Sequence, residues 1–113
     1  MARWTEWRKI ADKRNWYSES FDWHGPACYE LALAGPRGGG LRIVYVGETI
    51  NERKRIATYA ASGSHLSSEI AQHLAKGWCL FYRARIAKSK EEAVKTQNAL
   101  LKKYDYDWNI ILN

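Results

Sequence analysis

Cysteine is scarce: Cys28 and Cys79 are the only two in 113 residues, and each stands inside an apolar run, with no paired Cys or His at zinc-ligand spacing. That excludes a disulfide scaffold and the ligand spacing of a zinc site, so both are expected as reduced, buried thiols. Long apolar runs are missing too. No stretch approaches the roughly 18 to 20 residues of a membrane span, and the basic, Trp-rich start lacks the apolar centre of a signal peptide. A cytoplasmic protein without membrane contact is expected. There is no internal repeat, low-complexity tract or interdomain linker. Acidic residues are the minority, with 12 Asp and Glu against 18 Lys and Arg, a net charge of +6. A field of that sign attracts polyanions, and nucleic acid is the natural partner, although charge alone fits a solvated basic surface equally well.

What is present is enough for one compact domain. A chain of this length buries about two-thirds of its unfolded surface, and 46% hydrophobic with 27% charged residues is a globular profile. Thr5 to Asn15 carries Trp7, Ile10 and Ala11 on one stripe with Arg8, Lys9, Lys13 and Arg14 around it, which predicts a basic amphipathic helix. Ala27–Ala34 and Leu41–Gly47 are short apolar runs separated by GPRGGG, whose glycines suit a hairpin turn. Thr49 with Glu52 has capping-box spacing and predicts a helix to about Ala61, and a second helix follows from Leu66 to Lys76. Trp78–Ala87 reads as a third strand. Ser89 with Glu92 caps a last helix, Lys90–Tyr104.

Within that order, GPACYEL on the first strand and IVYVGETINERKRIATY from the second strand into the helix resemble the two halves of the GIY-YIG nuclease motif. Tyr29 matches the first tyrosine, and Tyr45 with Gly47 the second half. Arg55 falls where the family has its helix arginine, and Tyr59 follows at i+4. GSHLSSEIAQHL, with His65, resembles the histidine-bearing segment of GIY-YIG homing endonucleases. QNALLKKYDYDWN resembles the terminal helix and asparagine of the bacterial excision-repair incision subunit. The resemblance spans Gly25 to Asn109 and departs at two places: Ala27 replaces the first glycine, and Gln97 stands where the family has its metal-binding glutamate.

The resemblance implies an endonuclease that hydrolyses phosphodiester bonds of double-stranded DNA with Mg2+ (or Mn2+). Such a metal takes hard oxygen ligands, usually carboxylates. Gln97 offers only a neutral oxygen, so activity is expected to be impaired, whether the glutamine is natural or introduced. Gln97 is also anomalous by itself: it sits among Ala93, Val94, Leu100, Leu101 and Tyr104 at helical spacing, where a buried amide must find partners or line a site. Glu91 and Glu92 are better explained by helix-start chemistry. Arg55 has the planar fork that suits phosphate oxygens, against the alternative of a surface ion pair, which fits Arg53 and Lys54 better. Tyr29 and Tyr45 line the site by resemblance, Tyr29 as a candidate base. A phenol of ordinary pKa about 10 is a poor base at neutral pH, and both rings could equally be strand aromatics. Tyr59 could bond a phosphate or pack in the core; His65 could protonate a leaving oxygen or simply start a helix.

Ahead of these, Trp4, Trp7, Trp16 and Trp23 interleave with Arg3, Arg8, Lys9, Lys13 and Arg14, a composition that suits DNA through phosphate contacts and ring stacking, and Arg53 and Lys54 beside Arg55 are further candidate DNA contacts. Packing of Trp7 on the sheet is the competing reading. The expectation is an α/β (α+β) fold: a small three-stranded antiparallel sheet flanked by helices, with an extra basic N-terminal helix in segment 1–24 packed on a nuclease-like domain, 25–113. One site cuts one strand, so a double-strand break requires a homodimer or two nicks. A catalytically silent DNA-binding module and an RNA- or protein-binding adaptor are the alternatives.

Overall fold

The computed structural model describes residues 3–17, 23–60 and 66–112. In chain order the elements are β1 (Arg8–Ala11), β2 (Ala27–Ala34), β3 (Leu41–Thr49), α1 (Glu52–Ala60), α2 (Ser67–Ala75), β4 (Cys79–Ile86), α3 (Lys90–Lys103) and α4 (Asp107–Leu112). The four strands form one antiparallel sheet in the order β1-β4-β2-β3. This is the expected mixed α+β architecture, with one strand more than expected.

The near-continuous apolar run of β2 follows from its place. It pairs with β3 on one side and β4 on the other, and helices cover both faces. Tyr29, Leu31 and Leu33 join Tyr82, Ile56, Ile70 and Leu74 in the larger core, which takes in α1 and α2. Cys28 and Val46 point the other way, toward Leu100 of α3 and Tyr106. A strand covered on both faces has no place for the polar alternation of a half-exposed one. The β2–β3 hairpin turns through Gly38, Gly39 and Gly40 at φ 80, 97 and 87°, where a side chain would be strained. A register shift after Leu31 lets Val44 and Tyr45 both enter the larger core.

The basic N-terminal helix is not formed. Arg8–Ala11 is instead a strand that pairs with β4, so the segment closes an edge that would otherwise present unpaired backbone groups. The Trp7, Ile10, Ala11 stripe suits either form, and Asp12 decides against the helix. Its carboxylate accepts the backbone N–H of Arg14 and Asn15, both at 2.9 Å, and the Tyr17 hydroxyl at 2.7 Å, a local turn that competes with helix. Those bonds, Tyr17's first, hold the Asp12 carboxyl well below the usual carboxylate range. Trp4 and Trp7 lay their rings over the Arg83 guanidinium, at 4.5 and 4.6 Å. Both are half-buried, as the sheet-packing reading of Trp7 requires.

Two smaller expectations change. The start of α1 is capped by Asn51, whose side chain accepts the Lys54 N–H at 3.1 Å, while Thr49 bonds Asn51 and Glu52 turns inward, accepting the Tyr82 hydroxyl at 3.3 Å. The Glu52 N–H, which a Thr49 cap would need, is taken by the Gly25 carbonyl at 3.1 Å, which leaves the cap to Asn51, three residues before Lys54. Cys28 is buried but Cys79 is only half-buried; both are free thiols, and burial pushes the Cys28 thiol up to about 12. At the other helix start, Ser89 accepts the Glu92 N–H at 3.1 Å as expected.

Candidate active site

β2, β3 and α1 place three phenols and one guanidinium together. Tyr29 and Gly47 are directly opposite on neighbouring strands, and the Tyr29 hydroxyl lies where a side chain of Gly47 would be, 2.5 Å from an ideal Cβ. From there it meets the Tyr59 hydroxyl at 2.6 Å and accepts the Nε–H of Arg55 at 3.1 Å. The Tyr45 ring stands 6.2 Å from that of Tyr29, and the Arg55 guanidinium 5.7 Å from the Tyr59 ring. Arg55 and Tyr59, four apart on α1, share the helix face turned to the sheet.

The glycine of YVG is therefore a space requirement. Gly47→Ala is expected to cost about 1–3 kcal/mol, the usual range for overpacking a filled core, and to push the Tyr29 phenol off Arg55. Denaturant unfolding measures the first, and the tyrosine hydroxyl proton in NMR the second. Wild-type stability together with an unmoved Tyr29 resonance would show that the strand yields instead.

Protonation in the cluster is one-sided. Burial, then the neighbouring Tyr29, raises the Tyr59 hydroxyl far above the ordinary phenol range, and the same causes push Tyr45 up to about 12. Burial works against the charge of Arg55, but the Tyr29 hydrogen bond and the surrounding phenols hold its pKa above the ordinary value. The site is a fixed cation held by buried phenols, whose hydroxyls are spent on each other and on Arg55, and the guanidinium is the donor suited to an anion. A group whose folded pKa is raised stabilises the fold below its unfolded pKa and loses that contribution as pH rises. Stability is thus expected to fall from about pH 10 toward pH 12 and beyond, and Tyr45→Phe should flatten that fall. A titration by tyrosinate absorbance and circular dichroism checks it; constant stability across this window would contradict the burial.

The guanidinium is reachable. Arg55 and Lys54 share a shallow cleft of about 260 Å³ with Thr49, Asn51 and Thr58; Arg55 gives Nε to Tyr29 and also hydrogen-bonds toward Tyr45, which holds the planar guanidinium, a group suited to phosphate oxygens, at the cleft wall. Of the other expected site residues, His65 lies outside the described residues. Gln97 is half-buried on α3, four residues after buried Ala93 and three before Leu100. The structure joins Tyr29, Tyr45, Arg55 and Tyr59, and carries Gln97 on α3, the helix that packs on β3 and β2. Among the described residues no three His, Cys, Asp or Glu stand together as metal ligands.

The expected DNA-contacting cations divide between two regions. Arg53 is exposed at the start of α1, 3.4 Å from the His24 ring, and Lys54 borders the cleft. Arg8, Lys9, Lys13 and Arg14 belong to β1 and its turn, at the opposite edge of the sheet from β3. Lys9 pairs with Asp12 at 3.2 Å. Arg3 is exposed ahead of β1.

A second polar group was not foreseen. Glu30, 2% exposed, accepts Arg83 Nε and Nη2 at 2.8 and 2.6 Å and the Tyr106 hydroxyl at 2.6 Å. Its signal in the sequence was a lone carboxylate inside the apolar run ACYELALA. At the chain end, Asn109 spans the backbone of Val46, accepting its N–H and donating to its carbonyl, both at 2.9 Å, in place of the strand that β3 lacks on that side.

A family model described as GIY-YIG domain-containing protein matches residues 68–113. That match supports assigning the chain to the GIY-YIG superfamily. The matched stretch holds Gln97 and Asn109, while Tyr29, Tyr45, Arg55 and Tyr59 precede it. The chain is also 34% identical over 71 residues to "Protein EFFECTOR OF TRANSCRIPTION 3" of Arabidopsis thaliana. That alignment covers 62% of this chain and 26% of the relative, so the chain spans about a quarter of its length. No solved structure matches. Among the described residues, no helix is long and apolar enough to cross a membrane.

Proposed function

We propose that this chain is a DNA endonuclease domain of GIY-YIG type whose hydrolytic step is impaired by Gln97. The observation that supports it is the hydrogen-bonded group of Tyr29, Tyr59 and Arg55 opening on a cleft with Lys54. Buried phenols fix the guanidinium before any ligand arrives, and a fixed donor stabilises phosphate charge without reorganising. A structural ion pair would instead need a carboxylate beside Arg55; the groups that set its charge are Tyr29, Tyr59 and Tyr45.

GIY-YIG nucleases as a class use divalent metals. Here the donor set does not fit magnesium: Gln97 brings one neutral oxygen, and no described cluster of carboxylates replaces it. No step is therefore assigned to a metal, and the chain's own residues bind and orient the phosphate.

Gln97→Glu, assayed with wild type on supercoiled plasmid in magnesium or manganese, tests this reading. A gain of cleavage of about tenfold or more is expected, in line with the catalytic weight of a metal ligand's surroundings. Equal activity in both chains would remove the impairment but keep the nuclease. No cutting by either would leave the catalytically silent DNA-binding module.

A further inference from the structure

The segment from Trp23 to Pro26 is fixed more firmly than a connection requires. Trp23 Nε1 donates to the Pro26 carbonyl at 2.9 Å, and the indole fills the space of a Gly25 side chain, whose Cβ would fall 2.6 Å from the ring. The backbone N–H groups of Glu52 and Arg53 bond the carbonyls of Gly25 and Trp23 at 3.1 and 3.0 Å. Trp23 is thereby tied to the first turn of α1, the helix that carries Arg55. Yet the residue is 36% exposed. An indole locked on one side and open on the other loses little entropy when a flat ring settles on it.

That indole borders a groove of about 740 Å³ whose walls also carry Arg3, Arg85, Lys88 and one carboxylate, Glu92. Cations in excess of carboxylates favour a phosphate chain, and the volume falls within the roughly 300–1,000 Å³ of small-ligand sites. Trp4 and Trp7, by contrast, have rings engaged with Arg83.

We propose that this groove holds an unpaired nucleotide of the bound DNA, its base stacked on Trp23 and its flanking phosphates against Arg85, Lys88 and Arg3. The inference rests on the nucleic-acid reading of the Arg55 site and adds a preference: DNA with a base free of the duplex stack, since only such a base can lie on an indole face.

Metal-free binding by fluorescence anisotropy tests it, using a fully paired duplex, the same duplex with one unpaired nucleotide, and that nucleotide made abasic. Wild type should bind the unpaired base about 5- to 100-fold more tightly than either control, the range of one stacked base. Trp23→Ala should erase the preference, Trp23→Phe should keep most of it, and Lys88→Glu should weaken all three DNAs. If wild type binds DNA without preference, or Trp23→Ala retains the preference, the groove proposal is wrong and the Arg55 reading survives. If no DNA binds, both are wrong.

Discussion

Arg55→Ala should lower DNA cleavage about 10²–10³-fold, the usual loss when one preorganised donor to developing charge is removed. If wild type cuts too slowly to measure, the Gln97→Glu chain serves as the parent. The expectation comes from geometry. Nε is held by Tyr29 at 3.1 Å, so the guanidinium cannot relax away from a phosphate, and alanine leaves only a solvent-filled cleft in its place. Stability should change much less, because Arg55 is half-buried and its partner Tyr29 keeps the hydroxyl of Tyr59. Arg55→Lys is the informative companion. It keeps the charge but not the planar fork, and it should recover only a minor part of the rate. Rates and far-UV circular dichroism of the three chains decide; full activity of Arg55→Lys would reduce Arg55 to a general cation, and full activity of Arg55→Ala would remove it from the site.

The sequence was most legible where chemistry and local structure demand the same residue. Tyr29, Gly47 and Arg55 can be picked out by order and spacing, and the structure places them in contact, because a strand pair followed by a helix leaves few ways to arrange them. The β2–β3 hairpin was readable from its glycines, and α3 from Ser89 with Glu92. The N-terminal segment was not, since Trp7, Ile10 and Ala11 satisfy a helix stripe as well as a strand. What made it a strand was the open edge of β4, some 70 residues away in sequence, and no window of neighbouring residues contains that information. Gln97 shows the same limit at the site. Helical spacing put it on the apolar side of α3, and so it lies, but which face of the sheet α3 covers depends on the whole topology. Glu30 was passed over for a related reason: its partners Arg83 and Tyr106 are 53 and 76 residues distant.

That partnership makes Glu30→Ala the most destabilising change expected in the chain. The carboxylate is 2% exposed and both oxygens are used, one by the two nitrogens of Arg83 and the other by the Tyr106 hydroxyl. Removing it leaves the Arg83 guanidinium under the rings of Trp4 and Trp7 without a counter-charge, and a buried hydroxyl without an acceptor. Breaking a buried pair from one side costs about 3–5 kcal/mol. The Arg83 side chain is 25% exposed, so water can solvate part of the orphaned charge and the lower end of that range is expected. For a domain of this size the melting temperature should fall by roughly 10–20 °C. Replacing both partners separates the cost of the broken pair from the worth of the intact one. Glu30→Leu with Arg83→Leu removes both charges and should regain much of the loss, because desolvating the pair offsets most of its attraction. Chemical denaturation of the two variants measures this, and a Glu30→Ala loss below about 1 kcal/mol, the scale of an exposed pair, would mean that the bridge is as solvated as a surface one. The consequence reaches the sheet as a whole, for Glu30 sits one residue from Tyr29 on the central strand, and whatever loosens β2 there also loosens the strand that aims the phenol at Arg55.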